Sequence, residues 1–112
     1  MTDYGLSSEI PKDDPRQELW AKQRAERGFD DTECWNLHYT LAKFLVPRLE
    51  VFKEQHPDYP GALTFEEWNC VLQKMIDGFK EMENYDDWKG FKVEKVKKAL
   101  SLLRKWFLDL WW

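Results

Sequence analysis

The chain is poor in cysteine, histidine, glycine and proline, with two, two, five and five of them in 112 residues. Two cysteines, Cys34 and Cys70, cannot form the disulfide framework of a small secreted domain, so free thiols are expected. Long apolar runs are missing. A bilayer crossing needs roughly 20 consecutive apolar residues; no segment approaches this, and no membrane partner is expected. There is no glycine-rich phosphate loop, no P-loop and no HExxH motif. No repeat, low-complexity segment or alternating strand pattern appears. The opening Met1-Thr2-Asp3-Tyr4-Gly5 lacks the basic-then-apolar order of a secretory signal, which places the expected location in a cytoplasm.

What is present is a globular composition, 43% hydrophobic and 34% charged, with length for one core. Seven Trp, seven Phe and four Tyr stand out. A packed Trp buries roughly 200 Å², so a core this small absorbs many of these rings but not all. Surplus Trp is what interfaces and ligand pockets use. Charge is uneven. Residues 1–88 hold 10 basic and 19 acidic side chains, and residues 89–112 hold 7 and 2, a basic end on an acidic body. Such an end serves either an anion-binding face or surfaces that attract each other within the fold or between subunits.

The pattern is all-α: a three- or four-helix bundle, with residues 1–14 as an irregular arm and 15–112 as a single helical domain. Gly5, Ser7, Ser8, Pro11 and Pro15 interrupt the arm, which Tyr4, Leu6 and Ile10 can tack to the body. A first helix is expected over Pro15–Arg27, capped by Asp14 and ended by Gly28. A second starts near Asp30 or Asp31, with Glu33 completing a capping box, and runs to about Gln55. Its stripe is Trp35, His38, Ala42, Leu45, Leu49 and Phe52, widened by Leu37, Leu41 and Phe44. Pro47 should bend or break it near Lys43 to Val46. The stretch from His56 through Pro57 to Gly61 reads as a turn. The third helix opens on Thr64, with Glu67 completing the box and Leu63 and Trp68 as a staple. Its stripe is Phe65, Trp68, Leu72, Met75, Ile76, Phe79 and Met82. The fourth runs from about Phe91 to Leu110 on a heptad seam of Val93, Val96, Leu100, Leu103, Phe107 and Leu110, broadened by Ala99, Leu102 and Trp106.

Cys34 and His38 share a helix face, and with His56 and Cys70 they supply the atom set of a zinc site. Their spacing does not match a zinc knuckle, and the ordinary reading is a buried thiol beside a hydrogen-bonded core histidine. No third residue completes a Cys34–His38 nucleophile. Asp30-Asp31 and Glu66-Glu67 sit in first helical turns, where the macrodipole favours them. Neither a catalytic set nor a metal or other cofactor is expected. The basic set on the last helix carries more. Lys92, Lys95 and Lys98 recur every three residues, Lys105 lies two turns on, Arg104 is on a neighbouring ridge, and Trp106 is close to both. Cations beside aromatic rings suit a phosphorylated ligand with a base to stack, and they equally describe a solvated helix face. Trp111 and Trp112 exceed what the seam needs, and are expected as a subunit contact or a pocket wall.

The segment Phe29-Asp30-Asp31-Thr32-Glu33-Cys34-Trp35-Asn36-Leu37-His38-Tyr39-Thr40-Leu41-Ala42-Lys43-Phe44-Leu45-Val46-Pro47-Arg48-Leu49 resembles one found in a family of small proteins of tailed bacteriophages and prophages. Tyr59-Pro60-Gly61-Ala62-Leu63-Thr64-Phe65-Glu66-Glu67-Trp68 resembles that family's second signature, and Lys105 to Trp111 its aromatic ending. The likeness covers most of residues 28–112. The family carries an acidic residue where this chain has His38, which argues against a metal or catalytic role there. The resemblance implies a phage origin, a host-cytoplasmic location and an accessory role, and brings no catalytic residues. The resulting expectation is a non-enzymatic counter-defence protein that sequesters a small anionic nucleotide signal and forms a homo-oligomer. Asn36, Tyr39 and Arg48 are expected to join the basic set in binding, and no sequence-specific nucleic acid is expected. The alternative is a protein-binding module that inhibits a host factor or assists virion assembly, with Val93 to Leu110 as a helix-in-groove element.

Overall fold

The computed structural model describes residues 5–56 and 58–112; the expected tether Tyr4 and the turn residue Pro57 lie outside them. Five α-helices follow in order: α1 Gln17–Arg27, α2 Thr32–Trp35, α3 Leu37–Gln55, α4 Phe65–Lys80 and α5 Val93–Trp106. Short 3-10 turns lie at Ser7–Glu9, Glu81–Asn84 and Phe107–Asp109, and no strand occurs among the described residues. The protein is all-α. Among the described residues no helix is long and apolar enough to cross a membrane. The chain divides into two compact units, Met1–Leu41 and Ala42–Trp112, with the boundary inside α3. The sequence reading instead groups 15–112 together after a 14-residue arm.

In the first unit, α1 begins two residues later than expected. The Asp14 carboxylate accepts the Arg16 N–H at 2.9 Å and the Arg16 guanidinium at 3.0 and 2.9 Å, which holds residues 14–16 in a turn. Gly28 ends the helix as expected, at φ 87°, a conformation that disfavours a Cβ. The arm is fastened rather than loose. Ser7 N–H donates to Thr32 Oγ1 at 2.8 Å, and the Gln17 amide donates to the carbonyls of Ser7 and Ile10 at 2.8 and 3.1 Å. Trp20, almost fully buried, meets the Trp35 ring edge-on at 5.7 Å.

The expected helix from Asp30 to Gln55 does break, but at Asn36 rather than at Pro47. Asn36 has φ −132° and ψ 78°, and α3 continues through Pro47. The Thr40 hydroxyl accounts for the site of the break. It donates to the Glu33 carbonyl at 2.7 Å, satisfying a group that a continuous helix would bond with its own backbone. Ala42 and Leu49 are buried as the first stripe predicts. Leu37, Leu41 and Phe44, expected to widen the buried face, are exposed, as is His38.

In the second unit, the capping box of α4 forms as predicted: Glu67 N–H donates to Thr64 Oγ1 at 3.1 Å and Thr64 N–H to Glu67 Oε1 at 2.8 Å. Trp68, Leu72, Met75, Ile76, Phe79 and Met82 are buried. Each such side chain contributes roughly 2 kcal/mol of transfer free energy. Phe65 departs from the expected stripe; it is exposed, and its ring lies 5.5 Å from His56 and 6.0 Å from Tyr59. The helix α5 is shorter than expected at both ends. Before it, the Asp87 carbonyl takes the N–H groups of Gly90 and Phe91 at 3.0 and 2.7 Å, and buried Glu81 accepts the Lys92 N–H at 2.9 Å. These bonds set where the helix enters. The helices α4 and α5 come close together at Gly78, where an added Cβ would overlap the Lys95 carbonyl and lie 2.5 Å from the Ala99 methyl.

Candidate functional site

The heptad seam of α5 is expected to bury six apolar side chains, and the structure splits it in two. Val96, Leu103 and Leu110 are half-buried, together with Leu102 and Trp106, and Ala99 is fully buried. Val93, Leu100 and Phe107 are 44, 51 and 62% exposed. The Gly78–Ala99 contact draws α5 inward on one side only. Trp106 follows that side and sets its ring edge-on to Trp68 at 5.9 Å. The apolar arc of α5 is wider than one helix can cover. At 3.6 residues per turn, positions 93, 97, 100 and 104 fall within an arc of roughly 60°. The uncovered stripe of α5 therefore reads Val93, Lys97, Leu100 and Arg104, all exposed, and Phe107, exposed as well, follows in the 3-10 turn beyond the helix.

The expected anion-binding residues do not form one pocket. Lys95 and Lys98 come together with Lys74 around an open hollow of 360 Å³ beside Gly78, but Asp77 and Glu94 line the same hollow. Lys92 stands at the N-cap of α5, exposed, its backbone held by Glu81. The Lys105 ammonium lies 5.3 Å from the Trp106 ring, whose edge contact with Trp68 leaves it half-buried. Arg104 belongs to the bare stripe. Arg48, on α3, lays its guanidinium 3.8 Å from the Phe44 ring centre and donates to the Phe44 carbonyl at 2.9 Å. It borders a second hollow of 540 Å³ with Pro47, Val51, Phe52 and Trp112. Trp112 is one wall of that hollow and stacks on Phe52 at 6.1 Å, while Trp111 and Leu108 are exposed.

Asn36 and Tyr39 belong to the first unit. Asn36 sits at the helix break, where its carbonyl accepts the Thr40 N–H at 3.1 Å. Tyr39 is buried and donates its hydroxyl to the Glu9 carboxylate at 2.9 Å, a bond that fastens the arm. This unit also has a cleft of 640 Å³, lined by Leu6, Ile10, Lys12, Arg24 and Glu33, with Asp30 at its floor. Asp30 is fully buried. Its Oδ2 accepts Ser7 Oγ–H and Arg24 Nη1–H, each at 2.6 Å; its Oδ1 accepts the Thr32 N–H at 2.9 Å and the Thr32 hydroxyl. Burial pushes its pKa up, but the donors of Ser7, Thr32 and Arg24 outweigh it and hold the carboxyl below the ordinary carboxylate range. Four donors on two oxygens leave Asp30 fully hydrogen-bonded, tying the arm, α1 and the start of α2 to one carboxylate.

The thiols of Cys34 and Cys70 are both exposed, where burial was expected. Among the described residues no three His, Cys, Asp or Glu side chains are grouped to hold a metal ion. His56 is the hydrogen-bonded core histidine. Its Nδ1–H donates to the Asp58 carbonyl at 2.8 Å, and its Nε2 lies 3.1 Å from the Asn69 side-chain amide.

No family model, curated protein or solved structure gives a significant match to this chain. The site therefore stands on its geometry. Two determinants of where α5 lies, Gly78 and Glu81, and one of the Asp30 network, Ser7, carry little functional signal in the sequence. Gly78 has a signal, a glycine inside a strongly patterned helix, which marks close approach of another backbone. Glu81 reads only as a helix-end acid, and Ser7 only as an arm residue. Nothing local announces the partners of either.

Proposed function

We propose that the chain is a phage-encoded accessory protein that acts in the host cytoplasm by binding a protein partner, with no chemistry of its own. The observation that carries this is uncovered apolar surface. Among the described residues, exposed large apolar side chains outnumber buried apolar ones. On α5 and just beyond it, Val93, Leu100, Phe107, Leu108 and Trp111 are exposed within 19 residues of sequence. Folded monomers rarely leave large contiguous apolar patches in water unless something covers them. The phage origin rests on the resemblance of residues 29–49 and 59–68. The test is capture from host lysate with the native chain and with Leu100→Glu/Phe107→Glu. The native chain should retain a stoichiometric protein that the variant loses. Capture of no protein by a folded native chain would end this reading.

A second reading, sequestration of a small anionic nucleotide signal, is favoured by one observation. Lys74, Lys95 and Lys98 border one hollow and form no ion pair among the described residues. Asp77 and Glu94 oppose it by repelling phosphate. Calorimetric titration with cyclic and ADP-ribose-derived nucleotides separates the two, and absence of heat at micromolar concentrations disposes of the nucleotide.

A further inference from the structure

Between Lys95 and Leu108 the chain has five cationic side chains and no acidic one. Two of them, Lys97 and Arg104, lie inside the bare stripe of α5, alternating in sequence with Val93, Leu100 and, in the turn just beyond the helix, Phe107. The apolar members recur every seven residues. A partner helix sees the same repeat when two helices pack with knobs in holes, and the flanking charges then select the partner. The geometry points to an acidic amphipathic helix of another protein as the occupant of this stripe. Its apolar side chains would cover Val93, Leu100 and Phe107, and its carboxylates would meet Lys97 and Arg104. This inference rests on the protein-binding reading above and names the chemistry of the partner.

Three other occupants fit less well. A second copy packed α5 against α5 would set Lys97 and Arg104 of each chain beside the same cations of the other, and like charges at such positions repel. A lipid surface needs a continuous apolar face to enter the acyl region; here a cation interrupts the stripe at every turn. A nucleic acid offers phosphate to the cations but nothing for exposed Val, Leu and Phe side chains to cover. A helical partner with apolar and acidic residues in heptad register uses both halves of the pattern.

The probe is a pair of designed peptides of roughly two heptads, matched to an α5 about 21 Å long. One carries Leu at the a and d positions with Glu at e and g; the other carries Lys at e and g. Binding to the full chain is read by fluorescence anisotropy at low and moderate salt. The Glu peptide should bind at least tenfold tighter than the Lys peptide, and the margin should shrink as salt rises. Lys97→Glu/Arg104→Glu should reverse the preference, and Leu100→Glu should abolish both complexes. All these positions are exposed, and circular dichroism of each variant checks that its helices are kept. Equal binding of both peptides, or binding of neither, overturns the proposal. So does a dimer that Leu100→Glu dissociates, or retention by anionic phosphatidylserine vesicles through these same residues without peptide binding. If neither peptide binds while the native chain still captures a host protein, the partner chemistry is wrong and the protein-binding reading survives. If capture fails as well, both fall.

Discussion

Residues up to Leu41 and residues from Ala42 onward are held together by different chemistry. The first unit is fastened by polar groups: one buried carboxylate gathers Ser7, Arg24 and Thr32, and Glu9 and Gln17 pin the arm from two sides. The second unit is fastened by shape. Trp68, Leu72, Met75, Ile76 and Phe79 fill the face of α4, and a glycine lets α5 come close enough to use Ala99. A buried polar network fails when one partner is removed, because the others keep their desolvation cost. An apolar contact fails when volume is added or removed. The two units should therefore break under different substitutions.

The largest effect is expected from Asp30→Ala. It leaves the Ser7 and Thr32 donors without their acceptor and the Arg24 guanidinium with Ser7 Oγ alone, and should cost about 3 kcal/mol. Urea unfolding reads the loss, and amide exchange at Ser7 and Thr32 should accelerate. Retained protection at both amides would show that the network is not what holds the arm. Gly78→Ala comes next, and its sign is diagnostic. On an open helix surface the change would gain up to about 1 kcal/mol. Against Lys95 and Ala99 it should instead cost about 2 kcal/mol by forcing α5 outward, seen as a lowered thermal midpoint. Trp112→Ala should cost at most about 1 kcal/mol through loss of the Phe52 stack. Near-ultraviolet circular dichroism would register the missing ring pair even where the midpoint barely moves.

The smallest effect is on pH dependence. The Arg16 guanidinium and N–H hold Asp14 at about 2, and the Gln23 amide and Arg27 guanidinium lower Asp31, as the buried network lowers Asp30. A carboxylate with a depressed folded pKa contributes stability that is complete above its ordinary value, 3.8, and is lost as pH falls through the folded value. The first unit should loosen below pH 3.8, with protection at Thr32 falling progressively. Asp30→Ala should flatten that profile. An unchanged profile in the variant would assign the acid response to other groups.

The same contrast decides what was legible in the sequence. The α4 cap and its stripe from Trp68 to Met82 read directly, because a capping box and a 3.6-residue period are local signals. The break at Asn36 did not. Pro47 is the conspicuous residue in that stretch, whereas the Thr40 hydroxyl that satisfies Glu33 looks like any helical threonine. The Asp30 network was invisible because Ser7 and Asp30 stand 23 residues apart, and no periodicity connects them. For the candidate site, the heptad on α5 was readable as a pattern, but not which half of it α4 would cover. That depended on Gly78, on a different helix. Lys92, Lys95, Lys98 and Lys105 were readable as a basic set, yet neither Glu94 and Asp77 in the hollow nor Trp106 turned toward Trp68 follows from spacing along one helix.

The two exposed thiols have a practical consequence. Cys34 lies in the first unit and Cys70 in the second, and the chain has no other cysteine. Each unit thus has its own native attachment point for a spectroscopic label. Cys34→Ser leaves a dye on α4 alone, and Cys70→Ser leaves one on α2 alone. Partner docking and acid loosening can then be followed separately in the two units, with no cysteine introduced into either.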